Sequence, residues 1–271
     1  MADVHINNNK GWKYKWSDYE DSIIKKYYPH NGYLGVKKYL PNRNKRAIQL
    51  RASKLGIRFL SYDKTYFDTI DSPTKAYWLG FLYADGYVTT NNRWGVELSI
   101  SDYEHIQKLV NEIKYNGNIK IRNRNNIKTC SVLINNSHMH SSLINNGVVM
   151  NKTNLLKFPD NSILKEEYIN HFIRGFFDGD GCVCYTNRCV EINFVCKSNE
   201  FIISLLNIFS KNNIHFTYYV NKRDDLPTIR IYKISEIRLF YNYLYNGSSN
   251  KNRLKRKYLK INDLLSLKEV S

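Results

Sequence analysis

One segment of this chain occurs twice, ninety-five residues apart, and that repetition constrains the fold more than any other feature. Residues 76–88 read Ala-Tyr-Trp-Leu-Gly-Phe-Leu-Tyr-Ala-Asp-Gly-Tyr-Val, and residues 171–183 read His-Phe-Ile-Arg-Gly-Phe-Phe-Asp-Gly-Asp-Gly-Cys-Val. Each carries small residues four apart, Gly80 with Ala84 and Gly175 with Gly179, and each ends in Asp-Gly, at Asp85 and Asp180. Residues four apart share a helical face, so two such helices can bring their backbones close along these positions. The glycine after each Asp suits a helix C-terminal cap. The spacing therefore predicts a helix pair with both carboxylates at one end. Ser72-Pro73, a cap followed by proline at the first helical position, marks where the first helix starts.

The stretch C-terminal to each segment also repeats in pattern, which marks an internal duplication. An alternating strand with Val96, Leu98 and Ile100 on one face is matched by Val190, Ile192 and Phe194. Amphipathic helices come next, with Ile106, Leu109, Val110 and Ile113 in one and Ile202, Leu205, Leu206 and Phe209 in the other. Further strand pairs are expected near residues 119–134 and 217–232. Both halves close on a helix ending in Asn-Gly, at Asn146 and Asn246. The fold class is α+β, with the order αββαββα twice.

Lys and Arg number 41 against 24 Asp and Glu, a net charge of +17, which makes a polyanion such as nucleic acid the first partner to consider. No run approaches the roughly 18 apolar residues of a membrane-spanning helix. No secretory signal opens the chain, and five cysteines do not suggest a disulfide framework, so an intracellular protein is expected. Residues 10–60 carry thirteen Lys and Arg against three acids, an excess of ten. This stretch reads as three short helices: one capped by Ser17 with Glu20 as a capping box, one over residues 33–40, and one from an Asn42 cap to Gly56. The last presents Arg43, Lys45, Arg46 and Gln49, with Trp12 and Trp16 at the start of the unit. A small all-α unit with a basic last helix is the layout of a helix-turn-helix reader. The expected organisation is a helix-turn-helix module at 1–60, a linker at 61–72, a first repeat at 73–158, and a second repeat with a basic tail at 159–271.

Two carboxylates brought together from two subdomains repel unless a cation lies between them, and oxygen ligands suit Mg2+, or Mn2+ in its place. In a basic protein such a pair points to phosphodiester hydrolysis. Residues 78–86 and 173–181 resemble the two motifs of the monomeric LAGLIDADG homing endonucleases, and the resemblance extends over about residues 73–260. It implies two pseudo-symmetric repeats forming a saddle over double-stranded DNA with a long asymmetric target, metal at Asp85 and Asp180, and catalysis by these two residues. The sixth motif position is Asp178 in the second repeat but Tyr83 in the first, a departure.

The resemblance also implies that strand side chains read bases. Candidates are Arg93, Arg122, Arg124, Lys128, Arg188, Lys222, Arg223 and Arg230. A basic residue after the last strand of a repeat is expected to support the reaction, which designates Lys233; the matching place in the first repeat falls near Asn135. Two rivals to a site-specific double-strand endonuclease are a degenerate LAGLIDADG protein that binds DNA as a regulator and an intron RNA maturase. The basic tail, Lys251, Arg253, Lys255, Arg256, Lys257 and Lys260, suits a solvated helix end and a phosphate contact equally. Cys182, Cys184, Cys189 and Cys196 lack the Cys-x-x-Cys knuckles of structural zinc sites. His138 and His140, two apart at the start of a helix, make a poor ligand pair.

Overall fold

The computed structural model describes residues 15–59, 61–150, 155–185, 190–221 and 224–267. It divides into two compact units, Met1–Tyr62 with Tyr115–Gly117, and Asp63–Lys114 with Asn118–Ser271. Trp12 lies outside the described residues, as do Arg188, Cys189, Lys222 and Arg223.

The first unit is built on α1 (Asp18–Lys37) and α2 (Lys45–Lys54). Gly32, at φ +57°, breaks α1 into two segments, so three helical pieces are present as the sequence suggests. The capping box forms: Glu20 N–H donates to Ser17 Oγ (3.2 Å) and Ser17 N–H to the Glu20 carboxylate (3.0 Å). The cap of α2 is Asn44, not Asn42, and its side chain accepts from Ala47 N–H. Ile23, Ile24, Tyr28, Val36, Leu40, Ile48 and Ala52 form the core of this unit.

The second unit starts earlier than the expected linker end. Tyr66, Phe67 and Ile70 are buried, and Phe67 packs edge-on against Trp94. The first repeat then runs α3 (Pro73–Ala84), β1 (Gly86–Val88), β2 (Arg93–Ser99), α4 (Tyr103–Glu112), β3 (Lys120–Arg124), β4 (Ile127–Asn135) and α5 (Ser137–Asn145). The second runs α6 (Ile169–Asp180), β5 (Cys182–Tyr185), β6 (Val190–Val195), α7 (Asn199–Lys211), β7 (Thr217–Asn221), β8 (Leu226–Ile231) and α8 (Ile234–Tyr245), and α9 (Lys255–Leu267) comes after it. Both sheets are antiparallel and share one strand order, β1-β2-β4-β3 and β5-β6-β8-β7. The duplicated αββαββα order is thus observed.

Strand register refines the repeat. Gly86 pairs with Val96, whereas Cys182, one past the matching glycine, pairs with Asn193. The structural counterpart of Val96 is therefore Phe194 and not Val190. A slip of four residues is even, so each side chain stays on its face while moving along the strand. Trp94, Val96, Leu98, Cys130, Val132 and Ile134 are buried on one face of the first sheet, and Ile192, Phe194, Ile229 and Ile231 on one face of the second. Phe177, Phe194, Phe209 and Phe240 form an aromatic cluster beneath the second sheet.

The two repeats meet along α3 and α6. A Cβ on Gly80 would lie 2.0 Å from Phe172 O, and one on Gly175 would lie 1.9 Å from Tyr77 O. Only glycine permits this approach at both crossings.

Candidate active site and nucleic-acid face

Because α3 and α6 abut, their C-terminal ends are adjacent. Asp85 is the C-cap of α3 and Asp180 is the last residue of α6. A Cβ on Gly179 would sit 2.3 Å from Ala84 Cβ and 3.2 Å from Asp85 Oδ2, so the Asp85 carboxylate lies against the residue preceding Asp180. Asp180 is exposed and Asp85 half-buried. Helix C-termini concentrate partial negative charge on their carbonyls, so this end of the pair attracts cations strongly.

A cation from the chain itself reaches it. Lys257, in the first turn of α9, donates from Nζ to Phe177 O (2.6 Å), Gly179 O (3.0 Å) and Gly181 O. Burial pushes the Lys257 ammonium down to about 8, and the negative charges of Asp178, Asp85 and Asp180 oppose that fall. Next to it, Arg256 makes a forked contact with Asp102, Nε to Oδ1 at 2.9 Å and a terminal nitrogen to Oδ2 at 3.0 Å. Neither expectation for the basic tail describes Lys257, which is a buried contact to helix carbonyls. The signal that finds it is position: Lys257 falls in line with Leu254, Ile261, Leu264 and Leu265, all buried, so it lies on the apolar face of α9.

Lys233 does not join this group. Asp180 precedes β5, whose first residue, Cys182, pairs with Asn193, and Asn193 pairs with Arg230. Lys233 lies three residues beyond Arg230, toward the opposite end of the sheet, about 10 Å along the strands past the level of Cys182. There it caps α8 and faces Glu236, exposed. The expectation that it supports the Asp180 site is corrected by the register, since the end of β8 is the end remote from the motif.

The sixth motif positions are both buried. Tyr83 donates its hydroxyl to Asn146 O at 2.7 Å, while the Asp178 carboxylate accepts from the Tyr77 hydroxyl (2.7 Å) and Leu254 N–H (2.6 Å). Burial raises the Asp178 carboxyl to about 6 against these bonds.

Alternation along the strands sorts the candidate readers. Arg93 on β2, and Arg122 and Arg124 on β3, share the face opposite the core of the first sheet; Arg230 holds the same kind of position on the second. Lys128 falls on the other pleat, the one that carries Cys130. Arg122 lies 3.5 Å from Glu97, which also accepts from Thr129 Oγ1 (2.6 Å). Arg230 lies 3.5 Å from Glu191 and 4.6 Å over the Tyr219 ring. In the first unit, Lys45, Arg46 and Gln49 are exposed on α2. Arg43 is engaged in the fold of that unit, paired to both oxygens of Glu20 (2.6 and 2.8 Å) and 4.3 Å over Trp16. This pairing holds Glu20 below the usual carboxylate range.

The histidines and cysteines stay apart. His138 binds Asp68 and His140 binds Thr89 O, in different directions. Cys182 is exposed on β5 and Cys184 half-buried. Among the described residues no three His, Cys, Asp or Glu side chains gather as a closed metal cage. No helix there is long and apolar enough to cross a membrane.

Residues 74–167 match the WhiA LAGLIDADG-like domain, and residues 167–245 match the LAGLIDADG-like domain. Among solved structures, the chain is similar to the homing endonuclease I-WcaI bound to its DNA recognition sequence. That likeness is 18% identical, covers 80% of this chain and 95% of that one, and has a TM-score of 0.51. It is also similar to the LAGLIDADG homing endonuclease I-GzeII in complex with its DNA target, 15% identical over 71% of this chain and 88% of that one, TM-score 0.47. I-DmoI in complex with DNA and Ca is 13% identical over 74% of this chain and 99% of that one, TM-score 0.48. No curated protein matches. At such identities the I-WcaI likeness is one of fold, and it agrees with what the two motif helices and their sheets show. The chain therefore carries two LAGLIDADG-like domains, one in each repeat.

Proposed function

We propose that this chain is a site-specific DNA endonuclease that cuts both strands. The observation that carries this reading is the convergence of Asp85, Asp180 and Lys257 where α3 and α6 end. Two carboxylates at the negative ends of abutting helices form a hard oxygen donor set, which suits Mg2+ or Mn2+. When bound, the metal supplies positive charge to offset the charge that develops on the phosphate. Asp85 and Asp180 would hold it. Lys257 satisfies the carbonyls at the end of α6 and keeps a positive charge beside the reacting phosphate. The sheet faces opposite the cores carry Arg93, Arg122, Arg124 and Arg230, cations suited to phosphates and base edges of a duplex, which supports the reading. Those faces carry different residues in the two repeats, so the target is long and asymmetric. One chain supplies both motifs, so it acts as a monomer.

Incubation of a randomised duplex library with the protein and Mg2+ tests this. Wild type is expected to release a defined double-strand cut and Asp180→Asn to release none; no cut by wild type, or equal cutting by the variant, overturns it.

A second reading has one observation in its favour, the match of residues 74–167 to a WhiA-type domain. It is a DNA-binding regulator without cleavage, and it predicts a selected binding site that stays intact in Mg2+.

The N-terminal unit is assigned as a helix-turn-helix reader using Lys45, Arg46 and Gln49. Its charge excess should appear in salt dependence, since each phosphate neutralised adds roughly 0.9 to the slope of log affinity against log salt. Deleting residues 1–60 should weaken binding and flatten that slope. An unchanged slope would remove the assignment.

A further inference from the structure

Arg174 and Asp178 lie one turn apart on α6 and are buried in a core where polar groups cost stability unless bonded. Both reach toward the chain leading into α9. Arg174 donates from Nε to Asn252 O (2.8 Å) and from Nη1 to Leu244 O (2.7 Å). Asp178 takes both of its donors on one oxygen: Oδ2 accepts from Leu254 N–H and from the Tyr77 hydroxyl. Since the Tyr77 proton goes to Asp178, His105 Nε2–H must be the donor in the 2.9 Å contact to the Tyr77 oxygen. The network thus runs from α4 through α3 and α6 to Leu254, the residue immediately before α9.

Leu254 is three residues before Lys257, about one helical turn, so the anchoring of its amide sets where the lysine lands. An unanchored first turn would leave helix N–H groups unpaired and free to shift. We propose that Asp178 is a positioning residue: through Oδ2 it fixes Leu254 and the first turn of α9, and so seats Lys257 on the carbonyls of α6 beside Asp85 and Asp180. The contribution to cutting rests on the endonuclease reading. The seating of Lys257 does not.

The convergence of both donors on one oxygen makes Asp178→Asn an informative control, because a side-chain amide oxygen can accept both. Asp178→Leu keeps the branched shape, with somewhat more bulk, and removes the acceptor. In the full-length protein, two readouts need no catalysis: hydrogen exchange at the Leu254 amide, and acylation of Lys257 by an amine-reactive ester followed by mass spectrometry. Wild type should protect both groups. Asp178→Leu should raise both rates at least ~10-fold, and Asp178→Asn should restore them to within about threefold. The single-turnover rate of cutting the selected duplex should fall in Asp178→Leu, with affinity unchanged, and recover in Asp178→Asn.

If Asp178→Leu fails to fold, Leu254→Pro compared with Leu254→Ala isolates the N–H, since Arg253 is already extended as a residue before proline should be. Only the proline variant should expose Lys257 to acylation. Unchanged Lys257 acylation in Asp178→Leu, or equal acylation of the Pro and Ala variants, overturns the proposal. If wild type does not cut DNA, the endonuclease reading fails and acylation still decides the latch.

Discussion

The two repeats agree where backbones touch and differ where each motif helix is tied to the chain beyond it. Gly80 and Gly175 each receive a carbonyl of the other helix, and each helix ends in Asp-Gly. One residue before and three residues after its contact glycine, the first repeat has Leu79 and Tyr83, and the second has Arg174 and Asp178. Tyr83, a donor, finds the Asn146 carbonyl in the turn after α5; Asp178, an acceptor, finds the Leu254 amide before α9. Positions that face the other helix are constrained by backbone approach. Residues 83 and 178 touch the other helix only through side chains, Tyr83 against the Phe172 ring and Asp178 through the Tyr77 hydroxyl, so the duplication could diverge there.

The largest expected effect tests the shared part. Valine at Gly80 or at Gly175 must displace a backbone carbonyl rather than a flexible side chain, and each should cost more than ~4 kcal/mol or prevent folding. Urea unfolding of the two variants should give equally severe losses. If either is tolerated within about 1 kcal/mol, the tight crossing is wrong at that end.

Next come the charged groups at the helix ends. Asp85→Asn and Asp180→Asn should each slow cutting about 10³-fold, near 4 kcal/mol of barrier, with duplex affinity retained. Lys257→Met should slow it about 10²-fold, and Lys233→Met should leave the rate near wild type. A Lys233 variant as impaired as the Lys257 variant would break the register that separates them.

This contrast also shows what can be read from the chain. The helix pair, its Asp-Gly ends and both sheets are legible because they rest on local periodicity and on a duplication visible without any partner. The seating of Lys257 is only half legible: its place on the apolar face of α9 marks it as buried, but the carbonyls it meets lie some eighty residues earlier and only folding brings them together. Lys233 is suggested by its place after a strand, but an alternating pattern says which face a residue takes, not which end of the strand lies near the motif. The same ambiguity lets Val190 stand in for Phe194. Arg43 looks like a reader from its helix position, yet its guanidinium is paired to Glu20, a long-range contact that spacing does not reveal.

A smaller effect separates the repeats by acid. Burial pushes His105, on α4, down to about 3 and His171, on α6, to about 4. Below pH 6.5 the unfolded chain takes up protons that the native imidazoles refuse, so stability from both is full above that value and is lost as pH falls toward the native values. Asp178, raised to about 6, acts in the opposite sense: the native state keeps a proton that the unfolded chain releases, so its contribution is full below about 4 and declines as pH rises through 6. Within the second repeat these terms largely cancel, leaving His105 of the first to set the slope. Between about pH 5 and 6 stability should rise by roughly 1.4 kcal/mol per pH unit, and His105→Phe should flatten it. An unchanged slope would mean that His105 titrates normally.

The smallest effect concerns the open faces of the sheets. Among the described strand residues each sheet has a single acid, Glu97 on β2 and Glu191 on β6, and each lies 3.5 Å from an arginine. They are not equivalent by register, because Glu97 follows Val96, which pairs with Gly86 beside the motif, while Glu191 pairs with Cys184 farther from Asp180. If this face meets phosphates as proposed, an acid on it weakens nonspecific attraction, and a carboxylate can accept from the amino group of cytosine. Glutamine at either position should tighten binding to random duplex by no more than about threefold, within the range of an exposed ion pair. The more telling readout is the selected target sequence. Glu97→Gln should relax a base preference close to the cut, and Glu191→Gln one farther out under the second sheet. If both variants relax the same position, the two sheets do not lie on separate stretches of the duplex, and the proposed saddle of two repeats over one long target fails.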